Sequence, residues 1–283
     1  MATPKTVLIT GTSSGIGLAA AVGAARAGWT VVATMRDPAK ADPLMAAAGA
    51  AGVAGRVHVE RLDVTDPASV EATVARVTAA HGRLDAVVNN AGAGVVGTVE
   101  VAGMAPVRET MEVNYFGVVE VTRLTMPHLR ASRGRLVTVT SVGGVVGQPF
   151  NEAYCAAKFA VEGFMESLAP VAATVGVRVT VVEPGAVASE FVASQRLDIP
   201  MLVGAAGPYA PALEAYVDRT LKSFGHAQRS EEAAAPIVDV LQAAAPPFRV
   251  QTSEWAREFA AAKLADLNGA AVQAMTAQWV GAS

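Results

Sequence analysis

The chain has 283 residues, 52% of them hydrophobic, with a formal net charge of -3. A chain of this size buries one large α/β core. Its charges are dispersed without a basic cluster, which excludes nucleic acid as a partner, and the solitary Cys155 excludes an internal disulfide and fits a reducing, cytoplasmic compartment.

The uncharged run between Lys5 and Arg26 has the look of a leader, but Thr10-Gly-Thr-Ser-Ser-Gly15 interrupts it, and no other span is apolar enough for membrane insertion. Within that run, TVLIT at 6–10 is continuously apolar or β-branched, the mark of a strand covered on both faces. Gly11, Ser13, Ser14, Gly15, Ile16 and Gly17 form a turn that opens a helix from Leu18 to Ala27, closed by Gly28 and followed by a second strand at 30–34. Glycines between a strand and a helix let the backbone approach a pyrophosphate closely, and the helix amino end offers it free N–H groups, so this is a dinucleotide site. The second strand ends in Met35-Arg36-Asp37. An acid at that end bonds the ribose 2′-OH of NAD, whereas an Arg accommodates the 2′-phosphate of NADP. Met35 stands where the acid is expected and Arg36 follows it, which predicts NADP(H), with Ser14 as a second hydrogen bonder; the competing reading has Asp37-Pro38 simply starting a turn beside an exposed Arg36.

A third strand, 57–62, runs into Asp63-Val64, and Asp66-Pro67 opens a helix that reaches about His81. Asp63 either receives an adenine amino group or caps a turn. A fourth strand, 84–88, ends at Asn89-Asn90-Ala91-Gly92, small residues that suit a cofactor lying close to the backbone. Asn114 falls in a helical segment and reads on pattern alone as a packing residue. The four histidines, 58, 81, 128 and 226, show no pairing pattern and predict no metal site.

The stretch from Ser141 to Lys158 carries the chemistry. It leaves a strand at 136–140, crosses a glycine turn and enters a helix near Asn151, which puts Tyr154 and Lys158 one turn apart on one face. A free phenol is a poor base at neutral pH, and a fixed cation beside it lowers its pKa. Tyr154 then exchanges a proton with an alcohol or carbonyl while Ser141 holds the same oxygen. A sixth strand at 177–182 ends in Glu183-Pro184-Gly185-Ala-Val187. Residues 189–228 form a long apolar insertion containing proline and glycine, expected to cover a hydrophobic substrate. A seventh, edge strand is expected at 248–252, and the extension 253–283, with Trp255, Phe259 and Trp279, either docks on a partner subunit or closes one side of the pocket.

Thr10 to Gly17, Asp63-Val64, Asn89 to Gly92, Asn114, Ser141, Tyr154-x-x-x-Lys158 and Pro184-Gly185 together resemble the short-chain dehydrogenase/reductase family over about residues 5–190. The resemblance implies a single-domain, Rossmann-type doubly wound sheet of about seven parallel strands and an NAD(P)-dependent enzyme. It also implies catalysis by Tyr154 with Ser141, Lys158 on the nicotinamide ribose, Asn114 positioning a water, and Pro184, Gly185 and Val187 around the nicotinamide. A homodimer or homotetramer paired through the long helices is implied as well. Ala188-Ser189 departs from the family's usual Thr after Val187. The stretches 32–37, 141–144, 149–152 and 154–160 resemble the 17β-hydroxysteroid and retinol dehydrogenase group, pointing to a steroid-, retinoid- or polyketide-like ketone, aldehyde or secondary alcohol. The steroid-binding His of that group has no clear match, since His226 lies too near the Ser230 helix start. The alternatives are an NAD-dependent alcohol dehydrogenase of the same family and a non-catalytic dinucleotide sensor.

Overall fold

The computed structural model describes residues 4–188, 198–224 (side chains of 222–224 aside) and 227–270. Ser189, His226 and Trp279, all singled out in the sequence, lie outside the described residues. In chain order the strands are β1 (Thr6–Thr10), β2 (Thr30–Met35), β3 (Val57–Arg61), β4 (Ala86–Asn89), β5 (Arg135–Val139), β6 (Arg178–Glu183), β7 (Val187–Ala188), β8 (Gln228–Arg229) and β9 (Arg249–Gln251). The helices are α1 (Gly15–Arg26), α2 (Asp42–Ala50), α3 (Pro67–His81), α4 (Val99–Ala102), α5 (Met104–Met111), α6 (Gly117–Ser132), α7 (Glu152–Ala173), α8 (Ile199–Ala205), α9 (Ala210–Phe224), α10 (Ser230–Gln242) and α11 (Glu254–Ala261).

Seven strands form one parallel sheet in the order β3-β2-β1-β4-β5-β6-β9, and β7 pairs with β8 in a separate two-stranded ribbon. Helices cover both faces, which is why β1, TVLIT, is buried at every position and tolerates no alternation. Two apolar clusters result, one around Val7, Ile9 and Ile237 and the other around Leu8, Leu136 and Met165. Each such fully buried aliphatic side chain contributes about 1.5–3 kcal/mol relative to exposure. The strand order reverses between β1 and β4, and ligands of doubly wound sheets bind beyond the strand ends at such a reversal.

Helix α1 begins three residues earlier than the apolar pattern predicts, at Gly15, because the glycine turn itself enters helical geometry. Asp66 caps α3 by accepting from Ala68 N at 3.1 Å, as the Asp-Pro signal requires. Residues 199–224 of the expected insertion are a helical pair, and Leu213, Tyr216, Val217 and Leu221 recur at helical spacing along the second helix. Asp198 caps the first of them, accepting from Met201 N at 3.0 Å. Leu213 and Ala206 anchor the pair on Phe150, with Leu202, Val203 and Val217 beside them. No helix among the described residues is long and apolar enough to cross a membrane.

Candidate active site

A cleft of about 1440 Å³ runs along the carboxyl ends of the strands, from the glycine turn to the helical pair. Every residue expected at the cofactor lines it: Gly11, Ser13 to Gly17, Arg36, Asp63, Val64, Asn90 to Gly92, Tyr154, Lys158, Pro184, Gly185 and Val187. Ser141 lines it too, whereas Asn114 is wholly buried behind the wall.

The nucleotide end is a backbone structure. A Cβ on Gly17 would stand 2.2 Å from Gly11 O and 2.4 Å from Asn90 Nδ2, so no other residue fits there. Gly15, at φ 58°, makes the left-handed step into α1. Thr10 Oγ1 accepts from the N–H groups of both Asn90 and Ala91 at 3.0 Å, and Asn90 Nδ2 donates to Thr10 O and Gly11 O at 2.9 and 3.0 Å. The turns after β1 and β4 are thereby locked against each other, leaving a cradle with the α1 amino end at its base, which fits a pyrophosphate.

At the end of β2, Asp37 accepts from Ala39 N at 3.0 Å and caps the turn Pro38–Lys40. The acid is thus spent on its own backbone, while Arg36 and Lys40 both line the cleft. The sequence reading missed Lys40, a second cation placed there by that turn. Asp63 does cap a turn, accepting from Thr65 N at 3.0 Å and Thr65 Oγ1 at 2.8 Å, while also lining the cleft. Burial works to raise its pKa, but the Thr65 bonds and the charges of Arg36 and Arg61 hold it below the ordinary carboxylate value.

The chemical end is built from side chains. Ser141 leaves β5 and its hydroxyl accepts from Gly143 N at 3.0 Å, which fixes the serine against the turn Val142–Gly144. Its hydrogen bond to Tyr154 joins the two hydroxyls. Lys158 Nζ stands 5.8 Å from the centre of the Tyr154 ring and donates to Val139 O at 3.1 Å. Asn114 sits in a π-helical turn, Glu112–Phe116, a geometry frequent at functional sites. Its amide is fully engaged: Oδ1 accepts from Ala93 N at 3.2 Å, and Nδ2 donates to Ala93 O and Thr110 O at 2.7 and 2.9 Å. Asn114 therefore braces the loop after β4 with its side chain.

The expected lowering of the phenol is not met by these side chains on their own. Burial pushes Tyr154 up to about 12, against the opposing pull of Ser141, and pushes Lys158 down to about 8, opposed by Glu162. Desolvation outweighs the single cation because the two groups share one shielded wall.

Around the cleft, Phe150 and Tyr216 carried no signal of their own in the sequence, unlike Trp255 and Phe259. Phe150 has φ 57°, a left-handed conformation that costs a non-glycine residue about 1–3 kcal/mol. Buried under the helical pair, it packs on Tyr216 with ring centroids 5.6 Å apart. Asn151 Nδ2 donates to Tyr216 OH at 2.5 Å and to Pro149 O at 2.9 Å. Opposite them Trp255 stacks on Phe259 at 5.0 Å and lies so close that a Cβ on Gly185 would meet its ring at 2.8 Å. His58 and His81, unpaired in the sequence pattern, meet with ring centroids 5.1 Å apart, but no group of three or more metal-ligating side chains occurs among the described residues.

Comparison with known proteins agrees with this geometry. The profile of the short chain dehydrogenase family matches residues 5–200. Human retinol dehydrogenase 8 is 37% identical over 89% of this chain and 82% of its own length. Estradiol 17-beta-dehydrogenase 1 of Rattus norvegicus is 41% identical over 81% of this chain, though only 64% of that longer enzyme is covered. A short-chain dehydrogenase from Streptomyces avermitilis superposes with a TM-score of 0.76 at 30% identity, covering 99% of this chain and 97% of that one.

Proposed function

The chain belongs to the short-chain dehydrogenase family of NAD(P)-dependent oxidoreductases acting on CH–OH and C=O groups, and from that footing we propose that it interconverts hydrophobic ketones or aldehydes and their alcohols with NADP(H). The observation that carries this reading is the convergence of Ser141, Tyr154 and Lys158 on one wall of a cleft whose other end is the glycine cradle. Gly11, Ser13, Gly15, Ile16 and Gly17 hold the pyrophosphate. Arg36 takes the 2′-phosphate with Ser14 and Lys40 near it, Asp63 and Val64 flank the adenine, and Asn90 to Gly92 with Lys158 hold the ribose. Pro184, Gly185 and Val187 back the nicotinamide, which when bound supplies or accepts the hydride.

In the reducing direction Tyr154 gives its hydroxyl proton to the substrate oxygen, and Ser141 steadies the same oxygen by a hydrogen bond. The Lys158 ammonium then favours the tyrosinate left behind, which restores the phenol by taking up a proton. In oxidation the tyrosinate removes the alcohol proton. Asn114 supports this wall and offers its backbone to a water. The helical pair of the 189–228 insertion, with Phe150 beneath it, acts as a lid, and Trp255 with Phe259 in the 253–283 extension closes the facing side. The apolar residues on both favour a greasy substrate, as does the likeness to the retinol and estradiol dehydrogenases. The half-exposed Phe116 and Val171, beside and on the long helices α6 and α7, favour a homodimer or homotetramer.

A fluorescence titration with NADPH and NADH at matched, modest salt tests the cofactor, followed by a screen of hydrophobic ketones. Preference for NADPH with turnover is the expected result. Preference for NADH removes Arg36 from the phosphate and turns the reading to alcohol oxidation; binding without any turnover leaves a dinucleotide sensor.

A further inference from the structure

Behind Lys158, away from Tyr154, lies a charged cluster that the proposed reaction does not use. Arg249 of β9, 8% exposed, faces three carboxylates: Glu166 Oε2 at 2.6 Å, Glu183 Oε1 at 3.3 Å and Glu162 Oε2 at 3.4 Å. Glu166 is the outer member, about a third exposed, whereas Glu162 and Glu183 are buried. Gln251 Nε2 donates to Glu183 Oε2 at 2.9 Å. Glu162 is held more loosely: its polar neighbours are Thr140 and Arg249, the latter an ion-pair partner at 3.4 Å. One guanidinium cannot neutralise two buried carboxylates and a third, partly exposed one, and a buried carboxylate without full compensation takes up a proton instead.

Glu162 is one helical turn beyond Lys158 on α7, as Lys158 is one turn beyond Tyr154. The three groups form a single file along one helix face, with the phenol at the cleft and Glu162 at the buried end. The titratable groups facing this file are Cys155 beside Tyr154, Glu166 on α7, Glu183 at the end of β6 and Arg249 on β9. Thr140 and the turn Val142–Gly144 add no charge.

We propose that Glu162 is a positioning residue for the reaction: its buried carboxyl, shared with Arg249 and one turn from Lys158, sets the charge that Lys158 carries. This rests on the role given to Lys158 above. The directions of titration agree with the geometry. Burial and the nearby Glu183 push Glu162 up to about 8, against the pull of Thr140 and Arg249, while burial pushes Lys158 down to about 8 and Glu162 opposes that fall. Two neighbouring groups of opposite charge that titrate in one range do so as a coupled pair, each favouring the charged form of the other. Below pH 7 Glu162 holds its proton and gives Lys158 no support; above pH 8 its anion holds the ammonium in place.

The test compares wild type with Glu162→Gln. Gln mimics the protonated acid, so turnover in the reducing direction is unchanged at pH 6.5, whereas its alkaline fall moves about one pH unit lower because Lys158 loses the anion that kept it charged. An equal loss at every pH marks a structural role and overturns the proposal, as does an unmoved profile. An activity-free arm uses the thermal midpoints of the cofactor-free protein, wild type, Glu162→Gln, Lys158→Met and the double variant, from pH 5 to 9. A carboxyl raised from 4.5 to about 8 on folding contributes stability that is present at low pH and lost as pH rises to about 8. Glu162→Gln abolishes that loss, and Lys158→Met shifts it to higher pH by removing the cation that favours the anion. Additive effects in the double variant overturn the pairing. Should Glu162→Gln not fold, Lys158→Met decides alone: a stability profile that does not move upward in pH rejects the link. Absence of turnover in the wild type would count against the reductase reading, and the stability cycle would still decide the pairing.

Discussion

The two ends of the cleft are made of different materials. At the nucleotide end, Gly11 packs on Ala91 and Gly17 on Gly11 O and the Asn90 side-chain amide, and the space is defined by missing side chains. At the chemical end, Ser141, Tyr154 and Lys158 come from a strand end and a helix, braced by Asn114 from a third element, and the space is defined by side chains that are present. The first end is therefore damaged by adding atoms and the second by removing them.

The sharpest way to break this contrast is Tyr154→Phe, which removes one oxygen. Turnover should fall by about two to four orders of magnitude, the usual worth of a positioned acid–base group, with NADPH affinity little changed in a fluorescence titration. A variant that still turns over would remove Tyr154 from the chemistry. The complementary change is Gly17→Ala, which adds one methyl against Gly11 O and Asn90 Nδ2. It should cost about 1–3 kcal/mol of stability by overpacking and abolish dinucleotide binding, both read by thermal unfolding with and without NADPH. Wild-type-like binding would mean the cradle is looser than its geometry.

Arg36→Ala is a smaller probe of the nucleotide end. A lost charge-assisted bond of about 1.5–3 kcal/mol weakens NADPH by roughly tenfold or more and leaves NADH nearly unchanged. Equal losses for both cofactors would assign the phosphate to Lys40 or elsewhere. The smallest effect is expected from Tyr216→Phe at the far side of the chemical end. Asn151 Nδ2 keeps its bond to Pro149 O, so stability should change by less than about 1 kcal/mol. KM for a bulky ketone should rise only a few-fold while kcat holds; a large drop in kcat would move Tyr216 into the reacting centre.

The nucleotide end was legible because its signals are local. TVLIT followed by three glycines and a helix occupies adjacent residues, and Tyr154 and Lys158 are set by one helical turn. Asp66-Pro67 likewise marked the start of α3 to the residue. The helical pair at 199–224 was less legible, since Pro200, Gly204, Gly207, Pro208 and Pro211 punctuate it, although Leu213, Tyr216, Val217 and Leu221 recur at helical spacing. Phe150 carried no sign of its left-handed backbone, because nothing in the type Phe predicts a conformation imposed by Tyr216 and the helical pair above it.

By itself the sequence determined the seven strands of the main sheet in chain order, the glycine turn after the first of them and the one-turn spacing of Tyr154 and Lys158, since periodicity, glycine placement and helical spacing are properties of neighbouring residues. Only the tertiary structure decided how those groups are charged. Burial, not the nearby cation, dominates Tyr154, and Arg249 reaches Glu166 across 83 positions to gather three carboxylates behind Lys158. Desolvation and long-range ion pairing depend on what the folded chain brings together, and no short stretch of sequence encodes them.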